Sequence, residues 1–147
     1  METLTIEKLR ELSQQIPDKI SDLKMLILFG SRATGNIHEK SDWDFAVLYD
    51  EDKYNNSTSN ILTGFELPMV LGNIFGINSD NIDVVELNYS SWLLSHFIAR
   101  DGVLIFEKYP NIFESFRSIS LKTDLELKQY RRDRYQSIAT NLKRWNI

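Results

Sequence analysis

The stretch GSRATGNIHEKSDWDFAV, residues 30–47, decides how this chain folds. It follows an apolar run, MLILF at 25–29, and ends inside a second one, WDFAVLY at 43–49. Short continuous apolar runs bounded by glycine and polar residues read as strands buried on both faces. Side chains alternate along a strand, so Asp42, Asp44, Ala46 and Leu48 share one face while Trp43, Phe45 and Val47 share the other. Two carboxylates on one half-buried face repel when ionised, and the pair needs either a shared proton or a cation. Oxygen-only ligands with open positions suit Mg²⁺ or Mn²⁺, which take nucleotide phosphates as further ligands.

A third strand repeats the anomaly. The run NIDVVEL at 81–87 sets Asp83 among Ile82, Val84 and Val85, so three carboxylates converge if the strands are neighbours. Gly30-Ser31 supplies the complementary half. Glycine after a buried strand permits close backbone approach, a short helix starting at Ser31 aims its free N–H groups at an anion, and Gly35 ends that helix. Phosphates held there lie beside the metal-binding aspartates, the arrangement that in-line displacement at phosphorus requires. No Gly-Lys-Ser/Thr follows the strand, so the turn is not a Walker loop.

Outward from this centre, Ile6, Leu9, Leu12 (or Ser13), Ile16, Ile20 and Leu23 recur at helical steps, and Pro17 breaks the helix into two pieces. Residues 50–58 are a polar loop. A helix over 59–75 follows, with Ile61, Leu62, Phe65 and Met69 on one side and Pro68 in its path. After the third strand come a helix at 90–100, a short strand at 103–106, and helix from 110 to the end, interrupted near 118–123.

Composition bounds the rest. The 147 residues make one ordinary domain, and 42% hydrophobic with 26% charged residues is that of a soluble globular protein. No run reaches membrane-spanning length and no export signal is visible, which together with the absence of cysteine points to the cytoplasm and excludes thiolate metal sites. The net charge of -4 is uneven. From residue 122 on there are seven Lys and Arg against three Asp and Glu, which leaves ten against eighteen before it. So acidic a body argues against duplex nucleic acid as a partner.

Gly30-Ser31, ten intervening residues and Asp42-x-Asp44 match the signature of the DNA polymerase β-like nucleotidyltransferase superfamily. The stretch LFGSRATGNIHEKSDWDFAV resembles its minimal nucleotidyltransferase branch, over roughly residues 5–106. Many members of that branch are antitoxins of the MntA type, encoded beside an HEPN-domain ribonuclease toxin called HepT. The resemblance implies an α+β fold, the nucleotidyltransferase (polymerase β-like) fold, with a small mixed sheet flanked by helices. It divides the chain into a minimal nucleotidyltransferase domain at 1–109 and a C-terminal helical extension of the same domain at 110–147. Carried onto this sequence, it assigns Gly30 and Ser31 to the nucleotide phosphates and Asp42, Asp44 and Asp83 to two Mg²⁺ ions, with Mn²⁺ the alternative. Asp83 also accepts the proton of the attacking hydroxyl. Arg32 lies inside the motif as a further phosphate contact whose direction spacing does not fix. Thr34 and Trp43 depart from the family pattern, where a basic and an aliphatic residue are common.

The activity so implied is transfer of AMP from ATP to a tyrosine hydroxyl of the HEPN toxin, in a hetero-oligomer of toxin and antitoxin. Two rivals stand beside it: an antitoxin that neutralises by contact alone, and an enzyme modifying a small molecule such as an aminoglycoside, although those usually carry a second domain for which this chain is too short. Tyr135, Ile138, Leu142 and Trp145 form a stripe flanked by Lys128, Arg131, Arg132, Arg134, Lys143 and Arg144, which either packs on its own domain or binds the toxin. His38 and His96 read as ordinary histidines, and Tyr49, Tyr54 and Tyr89 as packing residues or stacking partners for a base.

Overall fold

The computed structural model describes residues 4–35, 37, 41–50 and 60–144, and of residues 60–65 the backbone only. The two nearly continuous apolar strands occupy the middle of the sheet, where neither face meets water. β1 (Leu23–Phe29) and β2 (Trp43–Tyr49) are the inner pair of a four-stranded sheet ordered β3-β2-β1-β4, with β3 (Ile82–Glu86) and β4 (Val103–Glu107) at its edges. β1 runs antiparallel to β2 and β4, whereas β2 and β3 are parallel, so the sheet is mixed as expected.

The alternation read from the sequence is the alternation of the two cores. Trp43, Phe45, Val47 and Tyr49 join Leu26 and Leu28 on one face; Ala46 and Leu48 join Met25 and Ile27 on the other. β1 begins earlier than expected, since Leu23 already pairs with Tyr49, and a register shift between Leu23 and Met25 places Leu23 on the first face.

The first face is covered by α1 (Ile6–Leu12), a 3₁₀ turn (Ser13–Gln15), α2 (Ile16–Lys19) and α4 (Asn60–Phe75), while the short α3 (Ser31–Thr34) follows the end of β1. Pro17 sits in the first turn of α2, where its missing N–H costs nothing. α4 runs through Pro68, and its Leu67, Leu71, Ile74 and Phe75 are buried at helical spacing. The apolar side therefore differs from the expected one: Met69 is 60% exposed, and the side chains of Ile61, Leu62 and Phe65 lie outside the described residues.

The second face is covered by α5 (Trp92–Asp101) and α6 (Ile112–Ser120), which contribute Ile98 and then Ile112, Phe113 and Phe116. α6 thus belongs to the core of the domain. α7 (Asp124–Arg144) buries no residue. It opens on a reciprocal cap: the Glu126 N–H donates to Thr123 Oγ1 (3.1 Å), and the Thr123 N–H donates to the Glu126 carboxylate (3.3 Å). This is the predicted interruption. Near its start the Tyr130 ring meets Trp92 edge to face, with centroids 4.4 Å apart. Among the described residues no helix is long and apolar enough to cross a membrane.

Candidate active site

β1 ends at Phe29, and the chain must turn at once to avoid running past the sheet edge. Gly30 makes that turn with φ 75° and ψ −159°, a conformation essentially reserved for glycine. Its carbonyl accepts from the Ala33 and Thr34 N–H groups (3.1 and 3.2 Å), which nucleates α3 (Ser31–Thr34). Gly35, at φ 90°, closes α3 by donating to the Ser31 carbonyl (3.0 Å). None of the described hydrogen bonds uses the first-turn N–H groups of Ser31 and Arg32. The helix start at Ser31 and its end at Gly35 stand where the sequence puts them.

Asp44 faces this turn. It pairs across the sheet with Phe29 on one side and, in parallel register, with Asp83 on the other. The two aspartates are therefore neighbours on the second face of the sheet, at the end where the Gly30 turn lies. A Cβ placed on Gly30 would collide with Asp44 Oδ2, so the turn and the carboxylate are in van der Waals contact. Asp44 is half-buried, while Asp42 and Asp83 are exposed. Burial pushes the Asp44 pKa above the usual carboxylate value, and the charges of Asp83 and then Asp42 push it further the same way.

None of the described ion pairs involves these three carboxylates. Among the described residues no three His, Cys, Asp or Glu side chains are already gathered at ligating distance of one point. The donor set nevertheless fits a hard divalent cation. All its ligands are oxygens, and the half-buried member is raised first by burial and then by the charges of its two neighbours, which a cation would relieve.

The direction of Arg32, which spacing leaves open, is toward the approach of β2. Its Nε and Nη2 both donate to the Ser41 carbonyl (3.1 and 2.9 Å), and its guanidinium carbon lies 4.1 Å from the centroid of the Trp43 ring. Two hydrogen bonds and a cation–π contact in a half-buried place hold it at the approach of β2. Thr34 folds its hydroxyl back within reach of the Gly30 and Ser31 carbonyls (3.3 and 3.4 Å). Trp43 is buried and stacked on Phe45. Ser41 and Trp43 as partners of Arg32 were not legible in the sequence, since no periodicity links residues nine and eleven apart across a turn.

His96 is structural: it is buried, and its Nδ1 accepts the Lys122 N–H (2.9 Å). His38, Tyr54 and Trp145 lie outside the described residues. Tyr49 is buried in the core, whereas Tyr89 is exposed. The apolar stripe on α7 does not pack on the domain: Tyr135, Ile138 and Leu142 are 75%, 52% and 44% exposed. Concavities of about 420 Å³, under Leu48 and Phe116, and about 600 Å³, between Trp92 and Tyr130, lie away from the aspartates, which occupy an open shelf.

Residues 7–111 match the family described as Polymerase beta, Nucleotidyltransferase. The chain is 51% identical to Protein adenylyltransferase MntA of Aphanizomenon flos-aquae (strain 2012/KM1/D3), over 97% of this chain and 96% of that one. Its fold is shared with the crystal structure of a toxin-antitoxin with AMP-PNP, at TM-score 0.61 and 24% identity, covering 95% of this chain and 99% of the other. It is shared also with the structure of tri-AMPylated Shewanella oneidensis HEPN toxin in complex with MNT antitoxin, at TM-score 0.58, 19% identity and coverages of 95% and 99%.

Proposed function

This chain belongs to the polymerase beta nucleotidyltransferase family, and on that premise we propose that it is an antitoxin that transfers AMP from ATP to a tyrosine hydroxyl of a cognate HEPN-type RNase toxin and thereby neutralises it. The observation that carries this reading is the contact of Asp44 with Gly30 in register with Asp83, which sets the Gly30–Ser31 turn against a pair of carboxylates and supports its use as a phosphate cradle. The 51% identity to a protein adenylyltransferase over nearly the whole of both chains supports adenylyl as the group and protein as the acceptor.

In this reading Gly30 and Ser31 hold the triphosphate through backbone N–H groups and the Ser31 hydroxyl. Asp42, Asp44 and Asp83 would hold two Mg²⁺ ions, whose positive charge would offset that of the phosphates and of the reacting oxygens. The tyrosine oxygen forms a bond to the α-phosphorus, the bond from that phosphorus to the bridging oxygen of pyrophosphate breaks, and pyrophosphate leaves with the electron pair. Asp83 takes the phenolic proton. An unperturbed tyrosine phenol ionises only near about pH 10 and is a poor nucleophile while protonated, so a carboxylate beside it lowers the cost of the step. The exposure of Asp83 at the sheet edge supports this role, because an incoming protein hydroxyl can reach it. We assign the activity to the cytoplasm, where ATP is supplied; use of ATP as the donor supports that reading.

The exposed stripe of α7 supports a partner surface, which we assign to the toxin. ATP labelled at the α-phosphate, incubated with this protein, Mg²⁺ and the toxin, tests the proposal. Label retained on the toxin and lost with Asp44→Asn bears it out; full neutralisation without label makes the antitoxin one that acts by contact alone.

A further inference from the structure

We infer that Arg32 is a positioning residue for Asp42, tying the Ser41 carbonyl before it and the Trp43 ring after it to the Gly30–Ser31 turn. This rests on the assignment of Asp42 as a metal ligand. The pairing of β2 with β1 ends at Asp44, and its pairing with β3 ends at Trp43. Asp42 therefore lies beyond both ladders, is exposed, and accepts none of the described hydrogen bonds. What holds it is what holds its two neighbours. One guanidinium engages both: a two-donor fork on the carbonyl of Ser41, the residue before, and the face of Trp43, the residue after.

The guanidinium belongs to α3, whose first residue follows Gly30. Arg32 thus ties the phosphate turn to the approach of the first aspartate, so that one side chain spans the phosphate and metal positions. Only arginine provides two near-parallel donors and a flat face together; lysine is a point charge on a flexible stem. A site held loosely by about 1 Å is the common cause of lost function when ligands are otherwise intact.

The test measures binding rather than turnover. Mn²⁺ affinity is read by electron paramagnetic resonance on the full chain with a non-hydrolysable ATP analogue, and analogue binding is read separately without divalent metal. Arg32→Lys is expected to weaken Mn²⁺ binding by about 10- to 100-fold, the usual cost of losing a residue that orients a ligand, with metal-free analogue binding unchanged. Arg32→Gln, which keeps a planar donor, should fall between lysine and wild type. In a double-mutant cycle, Arg32→Lys and Trp43→Phe should be non-additive.

The opposite pattern, metal-free analogue binding lost and Mn²⁺ affinity kept, makes Arg32 a phosphate ligand and overturns the inference. Loss of a cooperative melt in both Arg32 variants makes it a residue of the fold and overturns it as well. Asp44→Asn separates the two layers: if it binds Mn²⁺ as the wild type does, the metal-site assignment itself fails. If it loses Mn²⁺ while Arg32→Lys binds normally, only the positioning role fails.

Discussion

Gly30 lies directly beneath Asp44, so close that a Cβ on the glycine would run into the carboxylate oxygen Oδ2. The contact joins the two halves of the site, and a methyl group there must displace one of them. Gly30 also holds φ 75° and ψ −159°, which costs a non-glycine residue about 1–3 kcal/mol. Gly30→Ala should lower stability by that amount and abolish nucleotide binding, measured by the denaturant midpoint and by analogue titration.

Asp44 links the site to pH. Burial first, and then the charges of Asp83 and Asp42, raise its folded pKa above its unfolded value. Its contribution to stability is therefore fully present below the ordinary carboxylate pKa and is lost as pH rises through the raised one. Without divalent metal, Asp44→Asn should melt higher than wild type at neutral pH, with the difference vanishing near about pH 3, below the range in which an unperturbed aspartate ionises. Saturating Mg²⁺ should reverse the order, because it stabilises only the chain that binds it. Transfer activity in Asp44→Asn should fall by about a thousandfold, since a metal supplies several kcal/mol of transition-state stabilisation.

Asp83 is exposed, and its replacement leaves no cavity. Asp83→Asn should change stability by no more than about 0.5 kcal/mol while lowering AMP transfer by about 100-fold or more, as loss of a general base does. Chemical denaturation and single-turnover label transfer, run on the same preparation, check both halves.

The α7 stripe predicts a separation of fold from partner binding. Tyr135 and Ile138 are exposed, so replacing both with serine should leave the melt of the domain within about 0.5 kcal/mol of wild type. Toxin affinity should fall at least about 30-fold if these side chains are interface anchors worth about 2 kcal/mol or more. Truncation after Thr123 should act the same way, and unchanged toxin binding would remove α7 from the interface.

Much of the site was legible because its signals are local. The strand, turn and helix around Gly30, the helix end at Gly35 and the shared face of Asp42 and Asp44 follow from dihedral preference and from the period of two in a strand. The convergence of Asp83 was legible only as a condition, since the parallel pairing of β3 with β2 is a long-range event. The direction of Arg32 was not legible, because its partners are a backbone carbonyl and an aromatic face brought close by the turn. Pro68 argued against a continuous α4, yet burial of Leu67, Leu71, Ile74 and Phe75 carries the helix through it. The α7 stripe has helical spacing whether it covers its own domain or another protein, and spacing cannot separate the two.

Transfer of AMP to the toxin, rather than contact with it, is what neutralises in this reading. Mass spectrometry of the HEPN toxin after incubation with this protein, ATP and Mg²⁺, read together with the toxin's RNase activity, tests that step without an intermediary. The expected product is a toxin heavier by one or more AMP units on tyrosine, with RNase activity lost in proportion, and neither change with Asp44→Asn. A toxin of unchanged mass whose RNase activity is nonetheless fully blocked would contradict it.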